Sequence, residues 1–399
     1  MFVCIAIILG AISGGIVWLF LKASDTGLFL LWEALPASFE TAYYPLLVCT
    51  VGGILIGLWR RKFGDYPEDL SEVTGAVKAK GRYDSRRIYA LLMAALLPII
   101  FGGSIGPEAG LAGIIAALCT WAGDHLKYSI KETKELAQIG ISASLGVVFT
   151  APLFGFLGQI EGEGEDLFPG RKKVIIYFCA ILSGLGVYTL LSSFLGSGMH
   201  FERFDAIHIG RNEVKWFIPL ALLGVLAAFS YEIIGRLLSI ITKPLRRFPI
   251  VLTVLAGVLL GLCGMFFPLV MFSGEAKMAE LNAAWPAMGA SLFAVAFLKL
   301  TVINICIQMG WRGGNVISLI FAGICFAYGI SAITGVDSAF ASAVVSTVIC
   351  SAVTRKPIAV ALLMLIFFPA KNIILMIAAA FIGAGFARLF YTGLPLSRR

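Results

Sequence analysis

The chain has 399 residues, of which 59% are hydrophobic and 14% are charged, and its formal net charge is +8. A soluble domain is nearer half apolar and a quarter charged, so this composition indicates a membrane protein with several spans. The basic residues stand between apolar runs, which argues against a nucleic-acid surface. The eight cysteines lie in apolar stretches without a C-x-x-C pair, so we expect buried free thiols.

Apolar runs follow one another along the chain. The first begins at the N-terminus without the basic start of a signal peptide, so we expect it to be a transmembrane helix. A helix needs about 20 apolar residues to cross about 30 Å of hydrocarbon, and several runs are shorter than that. The runs are 2–21, 44–59, 88–101, 107–122, 137–160, 173–197, 215–242, 249–272, 286–309, 314–334, 338–353, 357–368 and 371–390.

A glycine-rich interruption runs from Gly102 to Gly110 and includes Pro107 and Glu108. In hydrocarbon every freed N–H and C=O group needs a partner, so a broken helix survives only inside protein or beside a polar cavity. A Pro at the first helical position presets the turn, and the N–H groups at a helix start bind anions. The sequence therefore predicts two half-helices that meet at mid-membrane, with a helix start after Gly106 that points at an anion.

Glu108 is itself a candidate functional residue. An ionisable group at bilayer depth costs about 2.5–3.5 kcal/mol on insertion scales, and such groups usually have a function. One interpretation makes Glu108 a gate or proton carrier. The alternative is a carboxylate that hydrogen-bonds its own helix start, where the positive end of the helix favours it.

The second half of the chain carries a similar pair of interruptions. Gly103 and Pro152 are 49 residues apart, and Gly314 and Pro357 are 43 residues apart. Short segments interrupted by Gly and Pro at corresponding positions of two halves indicate an inverted repeat around a central site. We therefore predict an all-α polytopic membrane protein with broken and tilted helices.

The domain prediction follows from the same pattern. We expect one transmembrane domain over 1–399, with a first repeat at about 44–197 and a second at about 215–390. The chain ends soon after the last apolar run, so we expect no cytoplasmic regulatory domain.

Charge asymmetry predicts the orientation. Basic residues concentrate in three loops, and loops of this kind face the cytoplasm. We expect a multi-pass protein of the cell inner membrane with a cytoplasmic C-terminus, because the chain ends in Arg398 and Arg399, and we expect the segment 22–43 to face outward. The basic loops lie near 60–87, 171–173 and 236–247.

Six segments, in chain order, resemble the CLC family of chloride channels and proton-coupled chloride transporters. The third is similar to the family's Gly-Arg-Glu-Gly-Pro motif, and the fifth to its Gly-Gly-Ile-Phe-Ala-Pro motif. The resemblance covers nearly the whole membrane domain, and it implies two inverted halves and a homodimer with one pore per subunit. The segments are 45–58, Gly64–Pro67, Gly103–Pro107, Thr150–Gly155, Leu298–Ser318 and Gly393–Ser397.

The resemblance also implies a central anion, held by helix N-termini and by a Ser and a Tyr hydroxyl. Partial positive charge at helix starts holds an anion without the full charge that would trap it. The positions that would bind the anion are Gly64, Asp65, Tyr66, Ser104, Ile105, Gly106, Asn315, Val316, Ile317 and Ser397.

The sequence departs from the family pattern at several of these positions. Gly64 stands where the family has the Ser ligand, and Ser397 stands where it has the Tyr. Ile105 takes the place of the gating glutamate, and Glu108 follows three residues later, one turn along the same helix. Glu108 is therefore our candidate for the gate or the proton path.

Three other charged residues have a functional and a structural interpretation. Asp65 either stands close to the anion path or caps the turn at Pro67. Glu161 falls where some exchangers of the family pass protons inward, or it belongs to a solvated acidic loop. Lys299, where the family also has Lys, either raises the positive potential of the pore or extends its charge to the surface.

The predicted function is a membrane anion channel or transporter, with chloride as the first candidate and protons as a second substrate. A carrier of fluoride or of a small organic acid on the same fold is the alternative. The predicted partners are the anion, the lipid bilayer and a second copy of the chain, with no nucleic acid and no cofactor.

An intramembrane serine hydrolase is a more distant alternative, because Gly102–Gly106 matches G-x-S-x-G with Ser104 as the nucleophile. That motif needs a strand–turn–helix setting and a His as base. Here the flanks are helical, and His125, His200 and His208 all fall in polar segments without the spacing of metal ligands. The sequence also lacks H-E-x-x-H and G-x-x-x-x-G-K-[ST], which argues against a zinc protease and a nucleotide-driven pump. We predict that the protein is not an enzyme.

Overall fold

The computed structural model describes residues 2–36, 42–65, 70–83, 87–161, 171–199, 201–204, 207 and 209–393. Within these residues the regular structure is helical apart from one isolated β-bridge, which confirms the predicted all-α class. The α-helices are α1 (Phe2–Phe29), α2 (Tyr44–Phe63), α3 (Leu70–Lys80), α4 (Ile88–Ile100), α5 (Glu108–His125), α6 (Ile130–Val148), α7 (Pro152–Ile160), α8 (Arg171–Leu195), α9 (Arg211–Thr242), α10 (Pro249–Phe266), α11 (Met278–Met288), α12 (Leu292–Gln308), α13 (Val316–Thr334), α14 (Ser338–Thr354), α15 (Pro357–Leu363) and α16 (Ile373–Gly393).

The first helix is longer than the predicted run 2–21, which ended where charged residues begin. α1 continues to Phe29 and then through a π-helical turn at Leu30–Ala34. Two of the three charges inside this extension have partners on other parts of the chain. Lys22 Nζ donates to the carbonyl of Leu195 at 3.1 Å, and the carboxylate of Asp25 accepts from the Ser197 hydroxyl.

The predicted run 137–160 is two helices, because the chain breaks between α6 and α7. Thr150 takes a φ of 48°, in the left-handed region, and Pro152 then starts the next helix. A matching break separates α14 from α15, where Arg355 has a φ of 59° and Pro357 follows. The paired Pro signals in the sequence therefore mark corresponding breaks.

The order of elements repeats, with α1–α8 followed by a similar series α9–α16. Gly102 and Gly310 lie two residues beyond the ends of α4 and α12, with φ of 91° and 96°. The residue that follows each of these glycines donates a backbone hydrogen bond to a carbonyl of the helix that has just ended. Gly103 N–H donates to Pro98 O at 2.8 Å, and Trp311 N–H donates to Cys306 O at 2.8 Å.

The lengths of the helices fit a protein that spans a membrane with some helices ending inside it. Seven helical segments among the described residues are long and apolar enough to cross a bilayer. Three more apolar helices are shorter, and two of them, Ser338–Thr354 and Pro357–Ile366, flank the second Pro break. The protein is therefore an integral, multi-pass membrane protein.

Glycines allow two pairs of long helices to approach closely. A Cβ on Gly53 of α2 would lie 2.5 Å from Thr253 O, and one on Gly257 of α10 would lie 2.2 Å from Cys49 O. Small residues that let backbones touch are the usual basis of helix association in membranes. α1 and α8 use the same device at Gly10 and Gly14.

We predict that Gly14→Ala destabilises the protein, because the added Cβ would lie 2.1 Å from Gly184 O. Overpacking of this kind costs about 1–3 kcal/mol. The matched control is Gly15→Ala, since nothing lies within 4 Å of a Cβ there. Thermal unfolding of the purified protein in detergent measures both, and equal melting temperatures for the two variants would contradict the packing described.

Candidate functional site

The two central helix breaks lie against each other. Gly106 N–H donates to Gly314 O at 2.7 Å, and Gly314 N–H donates to Gly106 O at 2.8 Å, which forms the isolated antiparallel bridge. α5 begins two residues after Gly106, and α13 begins two residues after Gly314. The predicted break within 102–110 is confirmed, and the two helix starts share one location.

The side chain of Glu108 joins these two helix starts. It is fully buried, and its Oε1 accepts a hydrogen bond from Val316 N–H at 3.0 Å. The N–H of Ile317 also interacts with the carboxylate. A helix start carries partial positive charge, so the carboxylate of Glu108 takes the place that an anion would take at α13.

Two glycines form the slot that holds this carboxylate. A Cβ on Gly106 would lie 2.1 Å from Glu108 Oε2, and a Cβ on Gly314 would lie 1.9 Å from Glu108 Cδ. Gly106 and Gly314 therefore leave the space that the Glu108 side chain fills.

The second carboxylate oxygen, Oε2 of Glu108, is buried and has no hydrogen-bond partner in the described part of the chain. Glu108 is also part of the wall of a cavity of about 1040 Å³, which we call the vestibule. Three basic side chains line the vestibule: Arg236, Arg355 and Lys356. Glu232 lines it as well, so the wall outside Glu108 carries three basic side chains and one acidic side chain.

Asn315 was predicted as an anion-binding position, but the polar cluster that it forms with Tyr231 and Asn304 beside the start of α13 was not predicted from the sequence. Asn315 Nδ2 donates to the hydroxyl of Tyr231 at 2.9 Å, and Asn304 Nδ2 donates to Tyr231 O at 3.0 Å. All three residues line the vestibule. An Asn inside the apolar run 286–309 was the available signal, but nothing in the sequence links it to α9.

The predicted positions in the first break are buried beside Glu108. Ser104 is fully buried, and its carbonyl accepts from the Ser318 hydroxyl at 3.2 Å. Ile105 is 1% exposed and packs against Gly313, so the position that the sequence resemblance aligns with a gating glutamate holds a buried apolar side chain. Ser104 stands in a turn between two helices and not between a strand and a helix, which lacks the setting of a hydrolase nucleophile.

Among the described residues, the other predicted anion positions lie in two places, the start of α13 and the end of α2. Val316 and Ile317 form the buried first turn of α13, and Gly64 ends α2 with a φ of 97°. Asp65 is an ion-pair residue: its carboxylate contacts Arg60 and lies 3.8 Å from Arg312. Tyr66, Pro67 and Ser397 lie outside the described residues.

Glu161 is buried, which contradicts the interpretation of this residue as part of a solvated loop. Its two oxygens accept from Ile358 N–H at 2.7 Å and from Ala359 N–H at 2.6 Å, at the start of α15. In return, Lys356 Nζ donates to Gly158 O near the end of α7. The remaining acidic residues, 162–166, lie outside the described part of the chain.

We predict that Gly314→Ala is destabilising because its Cβ would collide with Glu108 and displace the carboxylate from α13. A buried charged group that loses its hydrogen bonds costs about 1–3 kcal/mol or more. The three nearest atoms to this Cβ all belong to Glu108, so Gly314→Ala should cost much less in the background of Glu108→Ala. Thermal unfolding of the four proteins measures this coupling, and additive effects would count against the slot.

Comparison with known proteins supports the fold and the family. The model of the family described as voltage gated chloride channel matches residues 52–388. A Salmonella schwarzengrund protein named ion-transport protein YfeO is 23% identical over 331 residues, which cover 80% of this chain and 77% of its own length. The protein of the same name from Escherichia coli O17:K52:H18 is 22% identical over 332 residues, with 80% and 76% covered.

Two solved structures share the fold. A slow cyanobacterial chloride/proton antiporter superposes with a TM-score of 0.79 at 18% identity, and a CLC-type fluoride/proton antiporter with a TM-score of 0.75 at 16% identity. Each comparison covers 98% of this chain and 95% of the other. Because the family model matches most of the chain, the protein belongs to the voltage gated chloride channel family and is a membrane anion channel or transporter.

Proposed function

We propose that the protein moves chloride through a path that passes the starts of α5 and α13, with Glu108 as a built-in anion that must leave before chloride binds. The observation that carries this proposal is the hydrogen bond from Val316 N–H to the buried Glu108 carboxylate, at 3.0 Å. A helix start and its N–H groups have one place for an anion, so the carboxylate and a free anion compete for it.

Protonation would decide this competition. A neutral Glu108 loses most of its attraction to the positive helix start, so taking up a proton frees the site for chloride. Loss of the proton then favours the return of the carboxylate and the release of the anion. This exchange couples the two ions without a gating glutamate at Ile105.

The charges on the wall of the vestibule support the entry of anions through this cavity. Three basic side chains, Arg236, Arg355 and Lys356, line it together with two carboxylates, Glu108 and Glu232. An excess of positive charge along a cleft raises the local concentration of anions. Glu161, buried at the start of α15 next to Lys356, is our candidate for passing protons near this cavity. The complete set of anion ligands, including Gly64, Asp65, Tyr66 and Ser397, stays a prediction.

The identity of the anion is part of the proposal. We favour chloride. Fluoride is the alternative, because one of the similar structures is a fluoride/proton antiporter. Flux of each anion into liposomes, with and without a pH gradient, distinguishes them. We also propose that the protein has no catalytic activity.

We propose a homodimer in the inner membrane with a cytoplasmic C-terminus. α8 and α16 present large apolar side chains outward, among them Leu182 and Phe194 on α8 and Ile374 and Phe381 on α16. These helices correspond to each other in the two repeats, so their exposed sides offer a surface for a second copy.

The test of Glu108 is Glu108→Gln, which keeps the shape and removes the titration. We expect proton-coupled anion flux to disappear while passive anion flux persists, because chloride no longer competes with a charged carboxylate. Flux into liposomes under a pH gradient measures both. The control is Glu280→Gln, at a half-exposed carboxylate paired with Lys277.

Unchanged proton coupling in Glu108→Gln would defeat the assignment. A wild-type protein without any proton coupling would instead support a passive channel, with Glu108 as a structural residue of the helix start.

For assembly, we expect the mass of the purified protein in detergent to correspond to two chains. We also expect Phe381→Glu to weaken the dimer, because a charge on an apolar contact surface loses its hydration. Light scattering or crosslinking measures the state, with Glu280→Gln again as a surface control. A wild-type protein that is monomeric throughout would contradict the dimer and leave the proposal for Glu108 untouched.

A further inference from the structure

Lys299 is a lysine of α12 with no exposed surface. Its ammonium therefore does not reach the surface, and that interpretation of Lys299 is wrong. Nζ donates to three consecutive backbone carbonyls, those of Val270 at 3.2 Å, Met271 at 3.2 Å and Phe272 at 2.5 Å. An ammonium has three donors and no acceptor, so these carbonyls use all of its hydrogen-bonding capacity.

The segment that Lys299 holds is strained. Phe272 takes a φ of 59°, in the left-handed region, which is a genuine outlier for a bulky side chain. Such conformations persist only where the surroundings fix them. The three hydrogen bonds from one buried ammonium fix this segment, together with the hydrogen bond from Phe272 N–H to Gly102 O and the edge-to-face contact of the Phe272 ring with Trp32.

The same segment contacts the first helix break. Phe272 N–H donates to Gly102 O at 3.2 Å, and Met271 Cε would lie 2.7 Å from a Cβ on Gly102. Gly102 begins the turn that leads to Gly106 and Glu108. A change in the backbone at Phe272 therefore reaches the break that carries the anion site.

Lys299 also contacts the second half of the site. Its Nζ lies 5.2 Å from the ring centre of Phe321, on α13, which is the helix that binds Glu108. A cation over an aromatic ring is attracted by the ring's negative face. Among the carboxylates, Glu275 interacts with Lys299, and it also interacts with Glu108 and Asp25.

We propose that Lys299 is a positioning residue of the anion path, which fixes the strained turn at Phe272 and through it the break before Glu108. This inference rests on the proposed function, because it assumes that the anion binds where Glu108 now lies. The role is mechanical: the ammonium holds three carbonyls, and those carbonyls hold the backbone that borders Gly102.

The first test is Lys299→Met, which keeps an unbranched side chain and removes the ammonium. We expect the KM for chloride flux in liposomes to rise roughly tenfold, because a shifted break would cost the bound chloride about one hydrogen bond, with a much smaller change in maximal rate. Leu300→Met is the matched control, since Leu300 is equally buried on α12. An unchanged KM in Lys299→Met would overturn the proposal.

The second test separates the mechanical role from simple attraction of anions by a positive charge. Gly adopts left-handed backbone without strain, so Phe272→Gly should make the turn independent of Lys299. We expect the double variant Lys299→Met, Phe272→Gly to recover most of the KM change, measured relative to Phe272→Gly alone. A double variant that keeps the full change in KM would show that only the positive charge of Lys299 acts, and would overturn its proposed positioning role.

Hydrogen exchange gives a readout that does not depend on transport. We expect Lys299→Met to speed amide exchange in peptides that cover residues 268–274 and 101–107, compared with the wild type and Leu300→Met. Unchanged exchange in both peptides would overturn the proposal. If amide exchange speeds up in Lys299→Met but the wild type moves no anion, the positioning role of Lys299 stands and the proposed function fails.

Discussion

The pair of hydrogen bonds between Gly106 and Gly314 is the constraint on which the rest of the site depends. It joins the ends of two broken helices that are far apart in sequence, and it brings the starts of α5 and α13 to one place. In a bilayer these backbone groups have no water to bind, so pairing with each other is the way to satisfy them. The slot for Glu108 follows, because both glycines lack the Cβ that would fill it.

Local signals made part of this structure predictable. Gly102, Pro107 and Pro152 mark breaks because Gly permits positive φ and Pro fits the first turn of a helix better than its interior, and those properties act within a few residues. The composition of the runs indicated the helices themselves. The prediction for α1 was wrong at its C-terminal end, because the partners of Lys22 and Asp25 lie near residue 196, on another helix.

Partners that are distant in the sequence determine the positions of the charged side chains, and the sequence does not identify these partners. Glu108 binds an N–H that is 208 residues away, and Glu161 binds N–H groups 197 and 198 residues away. For Lys299 the sequence left two interpretations open, and neither included three carbonyls of a turn preceding its own helix. Carboxylate and ammonium groups in apolar runs signalled that partners must exist, because an unpaired buried charge is too costly.

The two repeats have different chemical roles, although their helices follow the same order. In the described part of the chain, Glu108 and Glu161 both belong to the first repeat, and each caps a helix of the second. The position in the second repeat that corresponds to Glu108 is Val316, which provides the N–H and not the acid. At these two helix starts the first half therefore gives the carboxylate and the second half gives the N–H groups, so neither half forms the contact without the other. Two identical halves would place a carboxylate at both helix starts or at neither, so the difference between the halves is what leaves one carboxylate at the shared location.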